Sequence, residues 1–340
     1  MTKNNRLKFY IALQGNYSPK EYIKIAKDIE EMGFNRIYVY DDLFYYPSIP
    51  ILTLIAEHTK NIELGPCLLN GLYRHPAIIT SSILAINELA PGRTVLGLGR
   101  GAFFDFLGID SSEENTRLAY EENIKLIRHF LDGKKSDFKG KFFNANSNAY
   151  LRIKSNEIKL VTGTWNEDMA YKAGQYSNEL QIADVWNTDY LNKLQNSFLI
   201  GNCKSGLINN PSFSIGGICC VSKNYKECRK VVSETLVMYL PYLSNILNRC
   251  GVKYDKHDIK LISELSKSGK IKEAVQFVSD EILDTLTLWG NPKQVVEKIN
   301  STLKEVKIDS IMFSVPFGIE KSVVHNIKLI SEEIIPYLIE

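Results

Sequence analysis

The chain has 340 residues, of which 44% are hydrophobic and 24% charged, and its formal net charge is +2 at pH 7. This composition is typical of a globular protein with a large core, and the near-balanced charge makes nucleic acid and membrane surfaces poor candidate partners. The sequence has neither a basic-then-apolar leader nor an apolar stretch long enough for a membrane span, so we expect a cytoplasmic protein.

Strand-like and helix-like segments alternate through the first hundred residues. The first predicted strand covers 8–13, and Ser18-Pro19 then supplies the N-cap and first position of a helix that Gly33 ends. The same periodicity predicts strands at 36–40, 62–69 and 94–98, with helices at 49–58 and 76–89 between them.

The alternation continues to the end of the chain. We predict a helix at 113–131, a small hairpin at 138–143, strands at 157–161, 180–185, 213–221 and 308–315, and helices near 166–176, 189–198 and 322–338. Three helical stretches precede the last strand: 225–250, 256–288 and one that begins at Asn291-Pro292.

Eight strands separated by helices predict an α/β fold, a (β/α)8 TIM barrel with a helical insertion at roughly 225–290 before the last strand. A doubly wound sheet with a helical cap is the alternative. The sequence shows no linker and no internal repeat, so we expect one domain over 1–340.

In such a barrel the active site lies at the carboxyl ends of the strands, so the segments that follow each strand are the candidates. The most informative of them is the glycine turn Gly97-Leu98-Gly99-Arg100-Gly101. With Ala102 it matches a dinucleotide fingerprint, but that motif requires the first strand of its fold, whereas this turn follows the fourth. Glycines at alternate positions let a flat or charged ligand approach the backbone.

Aromatic residues are concentrated in the loops after the second, third and fourth strands: Phe44, Tyr45, Tyr46, Tyr73, Phe103, Phe104 and Phe106. Aromatic side chains at the mouth of a barrel suit the binding of a flat conjugated ligand. The alternative is that these side chains only cap the barrel. His75 is the one histidine in a strand-following loop, although it also fits a role in shaping the helix that begins at Pro76. The pattern contains no metal-ligand spacing and no serine-nucleophile elbow.

Several motifs together resemble the bacterial-luciferase-like family of flavin- and F420-dependent oxidoreductases. They are Leu64-Gly65-Pro66-Cys67-Leu68-Leu69-Asn70, Tyr73-Arg74-His75-Pro76-Ala77, Glu88-Leu89-Ala90-Pro91-Gly92-Arg93 and Leu96-Gly97-Leu98-Gly99. The pattern looks most like the branch that uses coenzyme F420, typified by methylenetetrahydromethanopterin reductase. The segments at 218–222, 269–292 and 316–318 are also similar to that branch.

This resemblance implies positions for cofactor and substrate. A non-prolyl cis peptide is expected at Cys67–Leu68 or a neighbouring bond. The implied cofactor-binding residues are Pro66, Cys67, Leu68, Asn70, Gly97, Gly99, Gly101, Thr162, Gly163, Thr164 and Trp165. The candidate substrate-binding residues are Tyr46, Arg74, His75, Arg100 and Phe103. The family pattern also implies a homodimer.

The chain departs from its relatives where they carry proton-handling groups. Asp41-Asp42 stands in place of Asp-His, Ala102 in place of an acid, and Ala12 in place of a glutamate. We therefore assign proton transfer to Asp42 with Asp41 as its neighbour, because two adjacent carboxylates near an apolar ring favour a raised pKa. The alternative is that the two aspartates simply cap the following loop.

These features predict an oxidoreductase that transfers a hydride between C5 of coenzyme F420 and a small organic substrate, in a reaction similar to that of methylenetetrahydromethanopterin reductase. An FMN-dependent luciferase-like monooxygenase is the first alternative. A family member that binds cofactor without catalysis is the second. The sequence does not identify the substrate.

Overall fold

The computed structural model describes residues 7–110, 112–154, 157–316 and 323–339, and it does not describe the side chain of Asp105. Its strands are β1 (Lys8–Leu13), β2 (Arg36–Tyr40), β3 (Glu63–Cys67), β4 (Val95–Gly99), β5 (Phe138–Lys139), β6 (Asn144–Ala145), β7 (Lys159–Gly163), β8 (Glu179–Ala183), β9 (Ser212–Val221), β10 (Leu288–Gly290) and β11 (Ser310–Ser314).

The α-helices are α1 (Pro19–Glu31), α2 (Ser48–His58), α3 (Pro76–Leu89), α4 (Glu113–Leu131), α5 (Glu167–Gly174), α6 (Thr188–Ser205), α7 (Tyr225–Leu236), α8 (Leu240–Arg249), α9 (Lys256–Lys267), α10 (Ile271–Ala274), α11 (Asp280–Leu286), α12 (Pro292–Glu305) and α13 (Val323–Glu333). Short 3-10 turns lie at Phe104–Leu107, Val275–Phe277 and Ile335–Tyr337. The predicted start of the last helix, Ser322, lies outside the described residues.

The strand order is that of a barrel. Eight strands run in the order β3-β2-β1-β11-β9-β8-β7-β4. The two ends of this path meet through parallel bridges between Leu64 and Thr94 and between Leu69 and Leu98. The predicted (β/α)8 barrel is thereby confirmed, and the predicted hairpin is present as the antiparallel pair β5–β6.

The chain divides into two compact units, which we call unit A (residues 12–181 and 194–213) and unit B (1–11, 182–193 and 214–340). Unit A holds β2, β3, β4 and β7 with the loops that follow them, and thus most of the predicted site residues. The expectation of a single domain over 1–340 stays a prediction.

Helix starts follow local side-chain chemistry. At the start of α1 the Ser18 hydroxyl accepts a hydrogen bond from the Glu21 N–H, and the Glu21 carboxylate accepts one from the Ser18 N–H. Asn291 and Gln294 form the same reciprocal pair at α12. Such capping boxes satisfy N–H groups that the helix itself cannot, which explains why both starts are visible in the sequence.

The insertion in unit B differs from the two long helices predicted at 225–250 and 256–288. Five shorter helices, α7 to α11, occupy this region, with Gly251 and Gly269 in left-handed backbone (φ of 76° and 75°) after α8 and α9. The strand β10 was not predicted; it pairs parallel to Cys219–Val221 of β9. Three residues are too few to show a period of two, so sequence patterning did not reveal this strand.

Unit A buries an ion-pair network among the first residues of its strands. The Arg36 guanidinium, 1% exposed, donates to Glu179 Oε1 at 2.8 Å and to Glu63 Oε2 at 2.7 Å. It also donates to the Tyr38 hydroxyl at 2.6 Å, while the Lys159 ammonium reaches Glu63 Oε1 at 2.6 Å. Each buried charge therefore has an opposite charge or a hydrogen-bond partner, which such burial requires.

Two kinds of feature are absent from the described residues. Among the helices that the structure describes, none combines the length and apolarity needed to cross a membrane. Among the same residues, histidine, cysteine, aspartate and glutamate form no group of three or more that could hold a metal ion.

Candidate active site

The bond between Cys67 and Leu68, directly after β3, is a cis peptide, as the family resemblance implied. The Leu68 side chain that follows lies over glycines of two other strands. A Cβ on Gly97 would lie 2.8 Å from Leu68 Cδ2, one on Gly99 3.0 Å from Leu68 Cβ, and one on Gly163 2.3 Å from Leu68 Cδ1. Because Gly97, Gly99 and Gly163 have no side chains, β4 and β7 leave room for the side chain of Leu68.

This packing changes the interpretation of the glycine turn. The sequence suggested that Gly97 and Gly99 expose their backbone to a ligand, whereas in the structure they lie against Leu68 and the Pro66 carbonyl group. Leu68 itself is only half-buried, so its outer surface remains accessible above the glycines. We define Leu68 with Gly97, Gly99 and Gly163 as the leucine floor of the site.

Gly101 must be a glycine for a reason other than contact with Leu68. Its backbone is left-handed (φ of 88°), and a Cβ would lie 2.6 Å from the Asn70 amide nitrogen. The Asn70 side chain is buried and its oxygen accepts hydrogen bonds from the backbone N–H groups of Leu72 and Tyr73, both at 3.0 Å. The close contact between Asn70 and Gly101 therefore packs the loop after β3 against the loop after β4.

Asp41 has a structural role at the start of α2. Its Oδ1 accepts hydrogen bonds from the Ser48 N–H at 2.9 Å and the Ser48 hydroxyl at 2.8 Å. The Arg74 guanidinium also forms an ion pair with it, and only 4% of the Asp41 side chain is exposed. Both carboxylate oxygens of Asp41 are thus engaged by Ser48 and Arg74.

Asp42 is in a different situation from its neighbour. Its Oδ2 accepts a hydrogen bond from the Gln14 amide at 2.7 Å, the one hydrogen bond that the described residues give it. Burial raises the pKa of the Asp42 carboxyl, the Gln14 hydrogen bond opposes this, and the charge of Asp41 adds to it. A carboxyl group with a raised pKa is a suitable proton donor near neutral pH.

Two of the predicted substrate-binding residues hold the loops in place. His75 is the N-cap of α3, and its Nδ1 accepts a hydrogen bond from the Ala77 N–H at 3.2 Å, so the alternative role considered for it is present. Arg74 forms an ion pair with Asp41, as described above. The neighbouring Tyr73 hydroxyl donates to the Ala102 carbonyl and so joins the loops after β3 and β4.

The rings of Phe44, Phe103 and Phe106 form a cluster at the loop tips, whereas Phe104 of the predicted aromatic group is buried. Phe106 lies with its ring centroid 5.5 Å from that of Phe103 and 6.3 Å from that of Phe44. Phe44 is 79% exposed, and both Phe44 and Phe103 have left-handed backbone (φ of 68° and 58°). Tyr46 is also half exposed, and its N–H donates to the Gly15 carbonyl at 2.8 Å. These rings therefore remain accessible to a ligand.

The segment after β7 is fixed by a tyrosine that the sequence did not reveal. The buried Tyr120 hydroxyl lies 2.9 Å from the Leu98 carbonyl oxygen and 3.1 Å from that of Gly163, and so links the ends of β4 and β7. Thr162 is buried, while Thr164 and Trp165 are half-buried. The Thr164 hydroxyl accepts a hydrogen bond from the Asn166 N–H at 3.1 Å. Tyr120 lies on the long helix α4, where a buried tyrosine is indistinguishable in sequence from an ordinary core residue.

Gln181 is a second residue that sequence reasoning missed. It lies on β8 opposite Gly163 of β7 and is 2% exposed. No described residue offers a hydrogen bond to its amide nitrogen or oxygen. A buried amide without partners is costly, so this position requires a water molecule or another polar group.

Comparison with known proteins identifies relatives over almost the whole chain. A family model described as luciferase-like monooxygenase matches residues 9–310. The 5,10-methylenetetrahydromethanopterin reductase of Archaeoglobus fulgidus is 27% identical over 328 residues, which cover 95% of this chain and 96% of the relative. The enzyme of the same name from Methanopyrus kandleri is 25% identical and covers 98% and 99% of the two chains.

The fold is also similar to a solved structure. The coenzyme F420-dependent tetrahydromethanopterin reductase from Methanopyrus kandleri superimposes with a TM-score of 0.81 at 23% identity. The match covers 98% of this chain and 99% of that chain. At this identity the likeness supports the barrel fold and not the chemistry.

Proposed function

The chain belongs to the luciferase-like monooxygenase family, and from this membership we propose that it is an oxidoreductase that uses coenzyme F420. The reaction is transfer of a hydride between C5 of the deazaflavin and a small organic substrate, of the kind that methylenetetrahydromethanopterin reductases use. We further propose that the enzyme acts as a homodimer in the cytoplasm.

One observation supports the assignment to the branch of the methylenetetrahydromethanopterin reductases. The similarity to the reductase of Archaeoglobus fulgidus extends over 95% of this chain and 96% of the relative, so the whole length of the two proteins corresponds. This sequence similarity over the whole length, the insertion included, supports the choice of the reductase branch.

The residues present fit a flat ring system. Tyr40 and Cys67 are register partners on β2 and β3, so the segments Asp41-Asp42 and Leu68-Leu69 leave the sheet side by side. The half-buried Leu68 of the leucine floor offers an apolar contact that suits one face of a planar conjugated ring. When bound, the deazaflavin supplies the hydride chemistry through its C5 carbon. Pro66, Cys67, Leu68, Gly99, Gly163 and Thr164 are the residues we propose to hold it.

The protein then supplies a proton. Asp42 accepts a single hydrogen bond, from Gln14, and burial favours its protonated form. Asp41 is held by Ser48 and Arg74, which keeps the second carboxylate in one place beside it. We assign Asp42 as the proton donor and Gln14 as the residue that orients it.

Replacing Asp42 with asparagine is expected to lower kcat about 100-fold or more, because general acids typically contribute that much. The raised pKa determines the pH dependence. The carboxyl group is protonated below its raised pKa, so the rate falls as pH rises through that value. Asp42→Asn should be slow at every pH and lack this alkaline limb. Steady-state rates between pH 5 and 9, with coenzyme affinity measured separately, check both statements.

Asp41→Asn is the matched control for this substitution. The amide oxygen of the new side chain would still accept the Ser48 hydrogen bonds, but the ion pair with Arg74 would be lost. We therefore expect reduced stability with the alkaline limb retained. An Asp42→Asn enzyme that binds coenzyme and turns over at the wild-type rate would refute the proton-donor assignment.

The chromophore that copurifies with the protein tests the choice of cofactor. We expect the absorbance spectrum and the mass of coenzyme F420. Bound FMN together with oxygen-consuming turnover would instead support a monooxygenase. Tight cofactor binding without reduction by any donor would support a family member that does not catalyse.

A further inference from the structure

Two buried cysteines of unit B, Cys220 on β9 and Cys228 in the first turn of α7, are in contact with each other. The Cys228 thiol donates a hydrogen bond to the Cys220 carbonyl oxygen at 2.8 Å. The Cys228 sulfur in turn accepts hydrogen bonds from the Gly290 N–H at 3.2 Å and from the Cys220 thiol. The proposed hydride transfer uses neither thiol, so this contact has a purpose outside that reaction or none at all.

The surroundings of Cys228 favour its thiolate form. Hydrogen bonds from the Cys220 thiol and the Gly290 N–H lower the pKa of Cys228, and they outweigh its burial and the nearby charge of Glu227. The position in the first turn of α7 acts in the same direction, because the N–H groups at a helix N-terminus stabilise negative charge. The thiolate is the form of cysteine that attacks an oxidant. Cys228 is therefore the reactive member of the pair.

Cys220 is placed to react with Cys228, whereas its neighbour Cys219 is not. The hydrogen bond to Cys228 and burial raise the pKa of Cys220, so it remains a thiol beside the Cys228 thiolate. Successive residues of a strand point to opposite faces, so Cys219 points away from the face on which Cys220 meets Cys228. Burial raises the pKa of Cys219, and no hydrogen bond joins it to Cys228 in the described part of the chain.

A cavity in unit B lies next to this cysteine pair. Its volume is about 410 Å³, and Tyr225, Trp289 and Gly290 are among the residues that line it. Tyr225 is half exposed, so the cavity is open to solvent. Gly290 both lines the cavity and donates its N–H to the Cys228 sulfur. A small oxidant in the cavity therefore comes within one residue of that sulfur.

We propose that Cys228 and Cys220 form a peroxide-reactive pair, which closes to a disulfide when hydrogen peroxide enters this cavity. The Cys228 thiolate attacks one peroxide oxygen, the O–O bond breaks, and the departing hydroxide takes up a proton and leaves as water. The Cys220 sulfur then attacks the Cys228 sulfenic acid, and the sulfenic hydroxyl leaves with the Cys220 proton as a second water. Two thiols and one peroxide thus give one disulfide and two water molecules.

The sequence makes this disulfide easy to detect. Trypsin cleaves at the two lysines between the cysteines, so Cys220 falls in peptide 205–223 and Cys228 in peptide 227–229. The full-length protein is treated with hydrogen peroxide, its remaining thiols are alkylated, and the digest is analysed by mass spectrometry. We expect the two peptides to be joined, with the loss of two hydrogen atoms, and to be separated again by dithiothreitol. Fragmentation assigns the bond to Cys220 or to Cys219.

Three variants test the role of each cysteine. Cys220→Ala is expected to stop at the sulfenic acid, so that dimedone labels Cys228 and the cross-link is lost. Cys228→Ala is expected to lose both the cross-link and the label. Cys219→Ala is the matched control, because it removes an equally buried neighbouring thiol, and it should form the cross-link as wild type does. Circular dichroism checks that each variant is folded, and the wild-type digest decides the question even where a variant is not.

The inference is overturned if Cys228 stays reduced at peroxide concentrations that oxidise the exposed Cys203. A cross-link that forms only in urea, or one that joins Cys219 to Cys228, also overturns it, because the pair would then not be preformed in the fold. So does a wild-type Cys228 sulfenic acid that never becomes a disulfide. None of these results depends on the bound coenzyme, so the proposed function is tested separately.

Discussion

Replacing Arg36 with methionine is expected to lower the free energy of unfolding by about 3–5 kcal/mol, the cost of leaving a buried charge without its partner. The guanidinium holds Glu63 and Glu179 together inside unit A, and Glu179 is 4% exposed. Methionine fills similar space but leaves Glu179 uncompensated, while Lys159 still reaches Glu63. Urea unfolding monitored by circular dichroism measures the loss.

The pH dependence of that loss gives a second measurement. Burial alone raises the pKa of Glu63, but Arg36 and Lys159 outweigh it and hold the pKa below its ordinary value. Because the pKa of Glu63 is lower in the folded protein than in the unfolded chain, its ionisation stabilises the fold at pH values above the unfolded-state pKa, which is about 4.3 for glutamate. This stabilisation is lost as the pH falls through the folded-state pKa. Wild type should therefore lose stability below about pH 4 more steeply than Arg36→Met does.

Arg117→Met is the control for Arg36→Met, because it removes an exposed helical ion pair with Glu113. Such pairs contribute about 0.5 kcal/mol or less. Equal losses in the two variants would show that the network around Arg36 adds nothing beyond a surface pair.

Alanine at Gly97 is expected to destabilise the protein by about 3 kcal/mol, at the upper end for overpacking, and to abolish coenzyme binding. A Cβ there would lie 2.2 Å from the Pro66 carbonyl oxygen, which belongs to the backbone and has little freedom to move. The clash pushes β3 away from β4 where the leucine floor forms. Unfolding free energy and coenzyme Kd measure the two effects.

Gly163→Ala separates side-chain from backbone crowding. Its Cβ would meet Leu68 Cδ1 at 2.3 Å, the far end of a flexible side chain. The double variant Gly163→Ala/Leu68→Ala should therefore be more stable than the sum of the single changes predicts, since the offending atom is gone. Leu68→Ala should not rescue Gly97→Ala, because the Pro66 oxygen remains. If Leu68→Ala restored the stability of both Gly97→Ala and Gly163→Ala, or of neither, the result would contradict the packing described for Leu68.

Much of the fold could be predicted because its signals are local. Ser18-Pro19 and Asn291-Pro292 marked helix starts, and apolar strand runs alternated with the helices along the chain. The positions of the aspartates after β2 and of the glycines at the carboxyl end of β4 followed from that alternation, since the carboxyl ends of barrel strands lie at one face. The insertion was harder, because its short helices and β10 depend on what they pack against.

The sequence by itself determined the barrel, the family and the loops proposed to carry the site, because periodicity, caps and motif order are properties of neighbouring residues. Only the tertiary structure decided which side chains are engaged. It showed Gly97, Gly99 and Gly163 making room for Leu68, Asp41 held by Ser48 and Arg74, and Arg100 without a partner among the described residues. These pairings join residues that are far apart in the chain, and they depend on distances that no local pattern encodes.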